Sequence, residues 1–92
     1  MSFTLDPHYK SFPASNPVHS SDLAGKGWNL LANDLAFPLA VLNRAALAHN
    51  IAWMQAYAKR KGVVLAPHGK TTMSPELFAQ QLEAGAWGLS FA

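Results

Sequence analysis

One lysine in this chain has a sequence context that could support covalent chemistry. Lys70 lies in the stretch Pro67-His68-Gly69-Lys70-Thr71-Thr72, directly after the apolar run Val63-Val64-Leu65-Ala66. An amine is a nucleophile only as the neutral base, so a lysine that forms a Schiff base is favoured in a semi-enclosed, desolvated site. Most lysines are instead solvated surface charges. The rest of the sequence therefore has to decide between a covalent cofactor anchor and an ordinary loop charge.

The neighbours of Lys70 narrow the kinds of site that it could serve. His68 is two positions before the lysine and could share its side of an extended chain, either as a site neighbour or as a structural hydrogen-bonding residue. A phosphate-binding P-loop also contains Gly-Lys-Thr, but it requires glycine five residues earlier, where this chain has Val64. The next helix is expected near Pro75, which is too late for a P-loop helix. The P-loop interpretation is therefore disfavoured.

The elements before Lys70 are predicted from apolar runs and capping residues. Residues 37–42 form a short apolar run with Pro38 near its start, which indicates a first strand. Asn43 then fits a helix N-cap, and Gly62 fits a helix C-terminus. The apolar stripe between them recurs at helical spacing and consists of Leu47, Ile51, Met54 and Ala58. The sequence therefore predicts a helix from residue 43 to residue 62.

The elements around and after Lys70 complete a repeating pattern. Residues 63–66 are continuously apolar, which predicts a second strand covered on both faces. Ser74-Pro75-Glu76 is typical of a helix start, so a second helix is predicted over 75–84, closed by Gly85. Residues 87–92 alternate apolar and small residues and predict a third strand. The order is β-α-β-α-β, and such units form parallel sheets or barrels.

The composition indicates that these elements belong to something larger. Hydrophobic residues make up 50% of the 92 residues and charged residues 13%, against about 25% charged residues in ordinary soluble domains. We therefore expect residues 37–92 to be the N-terminal portion of a longer α/β barrel, so that the barrel is truncated in this chain. Residues 1–36 show no sustained period and are expected to be an irregular leader with one helical turn.

Several classes of function are disfavoured by what the chain lacks. It contains no cysteine, and its four histidines do not have metal-ligand spacing, so no metal site is expected here. The net charge is +2 and the basic residues do not form a stripe, so a nucleic-acid partner is not expected. No segment has the eighteen or so apolar residues of a membrane helix, and no signal peptide is recognisable. We expect a cytoplasmic protein with a small-molecule substrate.

Four stretches of the sequence together resemble a known enzyme family. They are Pro38-Leu39-Ala40-Val41-Leu42, Asn50-Ile51, Pro67-His68-Gly69-Lys70-Thr71 and Gln81-Leu82-Glu83-Ala84-Gly85-Ala86-Trp87-Gly88. In this order and spacing they resemble the N-terminal part of the D-threonine aldolase and D-serine dehydratase family. The members of that family are pyridoxal-phosphate enzymes with an alanine-racemase-like barrel. The resemblance covers roughly residues 37–92.

The resemblance implies a fold, a cofactor and a role for Lys70. It implies a (β/α)8 barrel with its active site at the carboxyl ends of the strands, where Lys70 is expected. Lys70 would carry pyridoxal 5'-phosphate as a Schiff base and shuttle the α-proton of the substrate. From their positions beside Lys70 in the sequence, His68 and Thr71 are also expected to bind the cofactor. Family members form homodimers and have a C-terminal β domain, often with a divalent metal, so the 92 residues alone are expected to be inactive.

The reaction implied by the resemblance depends on the residues after the lysine. This chain has Thr71-Thr72-Met73 where many members continue with Thr-His-Lys, and it looks more like the members described as amino-acid deaminases. The first expectation is therefore a D-serine dehydratase or deaminase that acts by α-proton abstraction and β-elimination. Retro-aldol cleavage, as in D-threonine aldolase, and racemisation are the alternatives within the family. A small, non-catalytic interaction module is the alternative of another class.

Overall fold

A computed structural model describes residues 2–92 of the chain. Contacts divide the chain into two units, one that ends at Val41 and one that spans Leu42–Ala92. Residues 37–41, which the sequence assigned to the barrel portion, thus group with the leader. Each unit is described by itself below.

The first unit contains more regular structure than an irregular leader. Strands β1 (Thr4–Leu5) and β2 (Val18–His19) pair antiparallel, with Leu5 opposite Val18. Single 3-10 turns follow at Ser20–Asp22, Ala24–Lys26 and Leu30–Ala32. Val18 is buried, and the rings of Phe12 and Trp28 meet edge to face at 5.8 Å. Two-residue strands are too short to produce a sequence period, which is why the sequence did not reveal them.

The predicted first strand at residues 37–42 is not formed within the described chain. The peptide bond Phe37–Pro38 is cis, and Phe37, Val41 and Leu42 are all exposed. No backbone group of this segment joins a sheet among residues 2–92. An apolar run predicts burial, but a strand also requires a neighbour that accepts and donates backbone hydrogen bonds.

The predicted first helix is confirmed as α1, which spans Arg44–Lys61. The side chain of Asn43 caps it by accepting a hydrogen bond from the amide of Ala46 at 2.9 Å. Gly62 ends the helix with φ 67°, in the left-handed region. Leu47 and Ile51 are half-buried and Ala58 is buried, as the apolar stripe predicts, but Met54 is exposed.

The predicted second helix is confirmed as α2, which spans Pro75–Glu83. The hydroxyl of Ser74 accepts a hydrogen bond from the amide of Leu77 at 3.4 Å, and Pro75 occupies the first turn, where its missing N–H costs nothing. Gly85 follows the helix with φ 113°. This turn leads the chain into residues 87–90.

The segments that flank α2 make parallel contacts, but neither the predicted second strand nor the predicted third strand is formed as a strand among residues 2–92. The amide of Trp87 donates to the carbonyl of Leu65 at 2.8 Å, and the amide of Ser90 donates to the carbonyl of Pro67 at 3.0 Å. The pairing contains one bridge, between His68 and Ser90. Pro67 has no N–H to donate, which accounts for the interrupted ladder.

The second predicted strand is not covered on both faces. Val63 and Val64 are 54% and 73% exposed, so this expectation is wrong for the chain as described. Continuous hydrophobicity indicates that a strand is suited to burial, whereas the covering layers must come from other segments. The buried residues of this unit are small and consist of Ala58, Gly69 and Ala86. Among residues 2–92, no helix combines the length and apolarity needed to cross a bilayer.

Candidate functional site

Lys70 lies in a tight turn at the end of the segment that pairs with residues 87–90. The turn is a single 3-10 turn, Gly69–Thr71, and His68 is its N-cap residue. The amide of Met73 donates to the carbonyl of Gly69 at 3.0 Å and extends the turn. The position after the carboxyl end of a strand is the one that the sequence predicted for Lys70.

The side chain of His68 holds this turn together. Its Nδ1 atom accepts a hydrogen bond from the backbone amide of Lys70 at 3.1 Å. A backbone amide can only donate, so Nδ1 must carry no proton and the neutral ring must carry its proton on Nε2. The structural hydrogen-bonding role considered for His68 is therefore present. Its Nε2–H makes no hydrogen bond within residues 2–92 and is free to meet another group.

Lys70 presents its amine to solvent. The residue is exposed, and its Nζ atom makes no hydrogen bond or ion pair with any described residue. The semi-enclosed environment expected around this amine is not formed by residues 2–92. A groove of about 440 Å³ in the same unit is lined by Leu42, Arg44, Leu47, Leu77 and Gln80, and Lys70 is not part of its lining.

Thr71 completes the set of predicted site residues. It is exposed, and its amide approaches the carbonyl of His68 at 3.4 Å. Its hydroxyl makes no hydrogen bond within the described part of the chain. His68, Lys70 and Thr71 thus lie in one turn, with one imidazole N–H, one amine and one hydroxyl available for a ligand.

Two residues that sequence reasoning did not single out also shape the turn. Phe91 packs so closely on Gly69 that a Cβ atom there would clash with the Cε1 atom of the ring. The ring of Phe91 also meets that of Phe78 edge to face at 6.3 Å. Ser90 is hydrogen-bonded to the segment before Lys70. The alternation of residues 87–91 predicted a strand but did not indicate which residues touch the lysine turn.

No candidate metal centre is present in the part of the chain that the structure describes. Within residues 2–92, no group of three histidine, cysteine, aspartate or glutamate side chains is arranged to hold an ion. What the turn offers chemically is a primary amine with hydrogen-bond donors beside it. Such an arrangement suits condensation with an aldehyde more than metal binding.

Comparison with known proteins gives a similarity over part of the chain. No protein-family model matches the chain. A D-threonine aldolase from Arthrobacter sp is 42% identical to this chain over 52 residues. The matched region is 56% of this chain and 14% of that enzyme, so the chain spans only a small part of the relative's length. The similarity supports a distant relation to that enzyme family.

Proposed function

We propose that this chain supplies the cofactor-anchoring part of a pyridoxal-phosphate-dependent amino-acid lyase, with Lys70 as the anchor. The observation that carries the proposal is the position of Lys70 in a turn directly after a segment that pairs in parallel with residues 87–90. An amine without a polar partner among residues 2–92 is available to condense with the cofactor aldehyde. The similarity to a D-threonine aldolase supports the same class of enzyme.

The fold that we propose for the complete enzyme is a (β/α)8 barrel. The repeating unit of such a barrel is a pair of parallel strands joined by a helix, and the segments on either side of α2 share one parallel bridge, between His68 and Ser90. In a barrel, neighbouring strands would cover apolar residues such as Val63 and Val64, which are exposed here. The barrel mouth would also enclose Lys70 and provide the desolvation that favours its neutral form.

The residues of the turn fit the cofactor in their chemistry. Lys70 offers the primary amine, and the free Nε2–H of His68 and the hydroxyl of Thr71 are donors suited to the cofactor's oxygen atoms. When bound, pyridoxal phosphate supplies an electron sink for negative charge at the substrate α-carbon. In β-elimination, the amine of Lys70 would be the base that takes the α-proton of the substrate.

We propose D-amino acids as the substrates and a homodimer as the active assembly, on the basis of the family resemblance. Two reactions are considered, and each is favoured by a different observation. The Thr71-Thr72-Met73 sequence favours β-elimination from D-serine, with release of ammonia and a keto acid. The similarity to a D-threonine aldolase favours retro-aldol cleavage of a D-3-hydroxy amino acid to glycine and an aldehyde.

The test is a product assay on the complete enzyme that contains this chain, with bound cofactor. D-serine and D-threonine are supplied separately, and ammonia, keto acid, glycine and aldehyde are measured. Replacing Lys70 with arginine keeps the charge but removes the nucleophilic amine, so we expect activity to fall by at least about 10³-fold. Lys61→Arg is the matched control and should retain activity. A fully active Lys70→Arg variant would contradict the proposal.

A further inference from the structure

Ser90 attaches the Lys70 turn to the neighbouring segment through three hydrogen bonds. Its amide donates to the carbonyl of Pro67 at 3.0 Å, and its carbonyl accepts from the amide of Gly69 at 2.9 Å. Its hydroxyl donates to the carbonyl of Ala66 at 3.0 Å. The backbone and the side chain of one residue thus contact three of the four residues that precede Lys70.

The other hydrogen bonds of the turn are local. Lys70 and Thr71 donate to His68, and Met73 donates to Gly69, so these bonds shape the turn but do not fix its position. Since Pro67 cannot donate to the ladder, the pairing has a gap where a backbone bond would otherwise hold the segment. The hydroxyl of Ser90 adds a bond beside this gap.

We propose that Ser90 is a positioning residue, whose hydroxyl fixes the position of the Lys70 backbone relative to residues 87–90. The proposal rests on the proposed function of Lys70 as the cofactor anchor. A lysine side chain has four rotatable bonds and is flexible. The fold therefore determines where the amine can reach mainly through the position of the lysine backbone. A shift of the turn would misplace the amine relative to a bound aldehyde without removing any reacting atom.

The experiment compares Ser90→Ala, which removes the hydroxyl, with Ser90→Thr, which keeps it on a side chain suited to a strand. Ser15→Ala, at an exposed serine of the first unit, is the matched control. Amide hydrogen exchange is measured at Gly69 and in the middle of α1. Each variant of the complete enzyme is also incubated with limiting pyridoxal phosphate and reduced with borohydride, and the ratio of adduct on Lys70 to adduct on Lys61 is measured by peptide mass.

Ser90→Ala is expected to speed exchange of the Gly69 amide about fivefold, the effect of losing one net hydrogen bond, while α1 exchanges as before. The ratio of Lys70 to Lys61 adduct should fall by a similar factor of about five, and Ser90→Thr should restore both values. An unchanged ratio would overturn the proposal, whether or not exchange is faster, because a merely structural bond affects exchange alone. Where Ser90→Ala does not fold, a folded Ser90→Thr variant that loses the Lys70 preference overturns it equally.

The outcome for the unmodified chain separates this proposal from the proposed function. If wild-type protein forms no adduct on Lys70, the cofactor-anchor function fails and the role of Ser90 fails with it. If wild-type protein forms the adduct and Ser90→Ala forms it with the same preference, only the role of Ser90 is rejected. A lowered preference that Ser90→Thr restores supports both.

Discussion

The imidazole of His68 caps the turn that carries Lys70, with its Nδ1 atom 3.1 Å from the lysine backbone nitrogen. The side chain of a candidate site residue is therefore occupied at one nitrogen by the backbone. Only Nε2 is left to face a ligand. The same bond that shapes the turn thus determines which edge of the ring is available for chemistry.

This contact predicts different effects for two substitutions of His68. His68→Ala removes the acceptor, so the amide of Lys70 should exchange about fivefold faster, as expected for a lost cap of about 1 kcal/mol. His68→Asn keeps a side-chain acceptor of the type preferred at N-caps and should stay close to wild type. Hydrogen exchange followed by NMR measures both. Equal exchange rates in all three proteins would show that the cap contributes nothing.

Because Phe91 lies close to Gly69, we predict that substituting Gly69 also disturbs the contact between Phe91 and Phe78. In Gly69→Ala the new methyl group would meet the ring, which is exposed at 68% and can swing away. The ring should then lose its edge-to-face contact with Phe78, which we expect to cost about 1 kcal/mol of unfolding free energy. The measurement is urea denaturation together with the NOE between the two rings.

A double-mutant cycle provides the control for this prediction. In a Phe91→Ala background the clash is absent, so Gly69→Ala should have little further effect on the unfolding free energy. A cost that persists in this background would mean that Gly69 is required for a reason other than the ring.

Substitution of Gly62, at the end of α1, is predicted to change the unfolding free energy through backbone conformation alone. Its φ is 67°, yet a Cβ atom there would meet nothing within 4 Å. Gly62→Ala should therefore lower the unfolding free energy by about 1 kcal/mol through backbone strain alone. Gly88→Ala is the matched control, since Gly88 has open space and no positive φ. Urea denaturation followed by circular dichroism compares the two, and equal stabilities would contradict the prediction.

The sequence was sufficient for features that depend on neighbouring residues. Asn43, Gly62 and Ser74 marked the ends of α1 and α2, because capping is decided within about one turn of helix. The parallel direction of the segments around α2 followed from the order of the elements. The position of Lys70 just after the apolar run 63–66 was likewise predictable from neighbouring residues.

The sequence was insufficient where distant segments decide the outcome. The sequence predicted that Val63 and Val64 are buried, but both are exposed. Their burial requires other segments to pack on them, and the local sequence pattern does not say whether such segments are present. The contact of Phe91 with Gly69 and the bonds of Ser90 join residues more than twenty positions apart. A histidine N-cap at residue 68 was also unexpected, since serine, threonine, aspartate and asparagine dominate this position.

The first unit offers a prediction about pH. The carboxylate of Asp6 accepts a hydrogen bond from the amide of His8 at 2.8 Å and lies 2.6 Å from Nδ1 of its ring. The backbone bond first, and the ring second, hold the pKa of Asp6 below its ordinary value. Any stabilisation from this contact is therefore complete above the unfolded-state pKa and is lost as the pH falls through the lower, folded-state pKa.

His8→Ala separates the two contributions, because it removes the ring but keeps the backbone N–H. The pKa of Asp6 should rise part of the way towards its ordinary value, and an NMR titration of the carboxyl carbon measures it. Lys10→Ala, which removes a nearby charge but neither bond, is the control. An Asp6 pKa that does not move in His8→Ala would show that the ring has no effect.

The most direct test of the central claim is the position of the cofactor on the complete enzyme that contains this chain. The protein is incubated with a limiting amount of pyridoxal phosphate and reduced with borohydride, and the adduct is quantified by peptide mass at Lys10, Lys26, Lys59, Lys61 and Lys70. We predict that most of the adduct is on Lys70. Adduct spread evenly over the five lysines, or a cofactor-bound and active protein with Lys70 unmodified, would contradict the central claim.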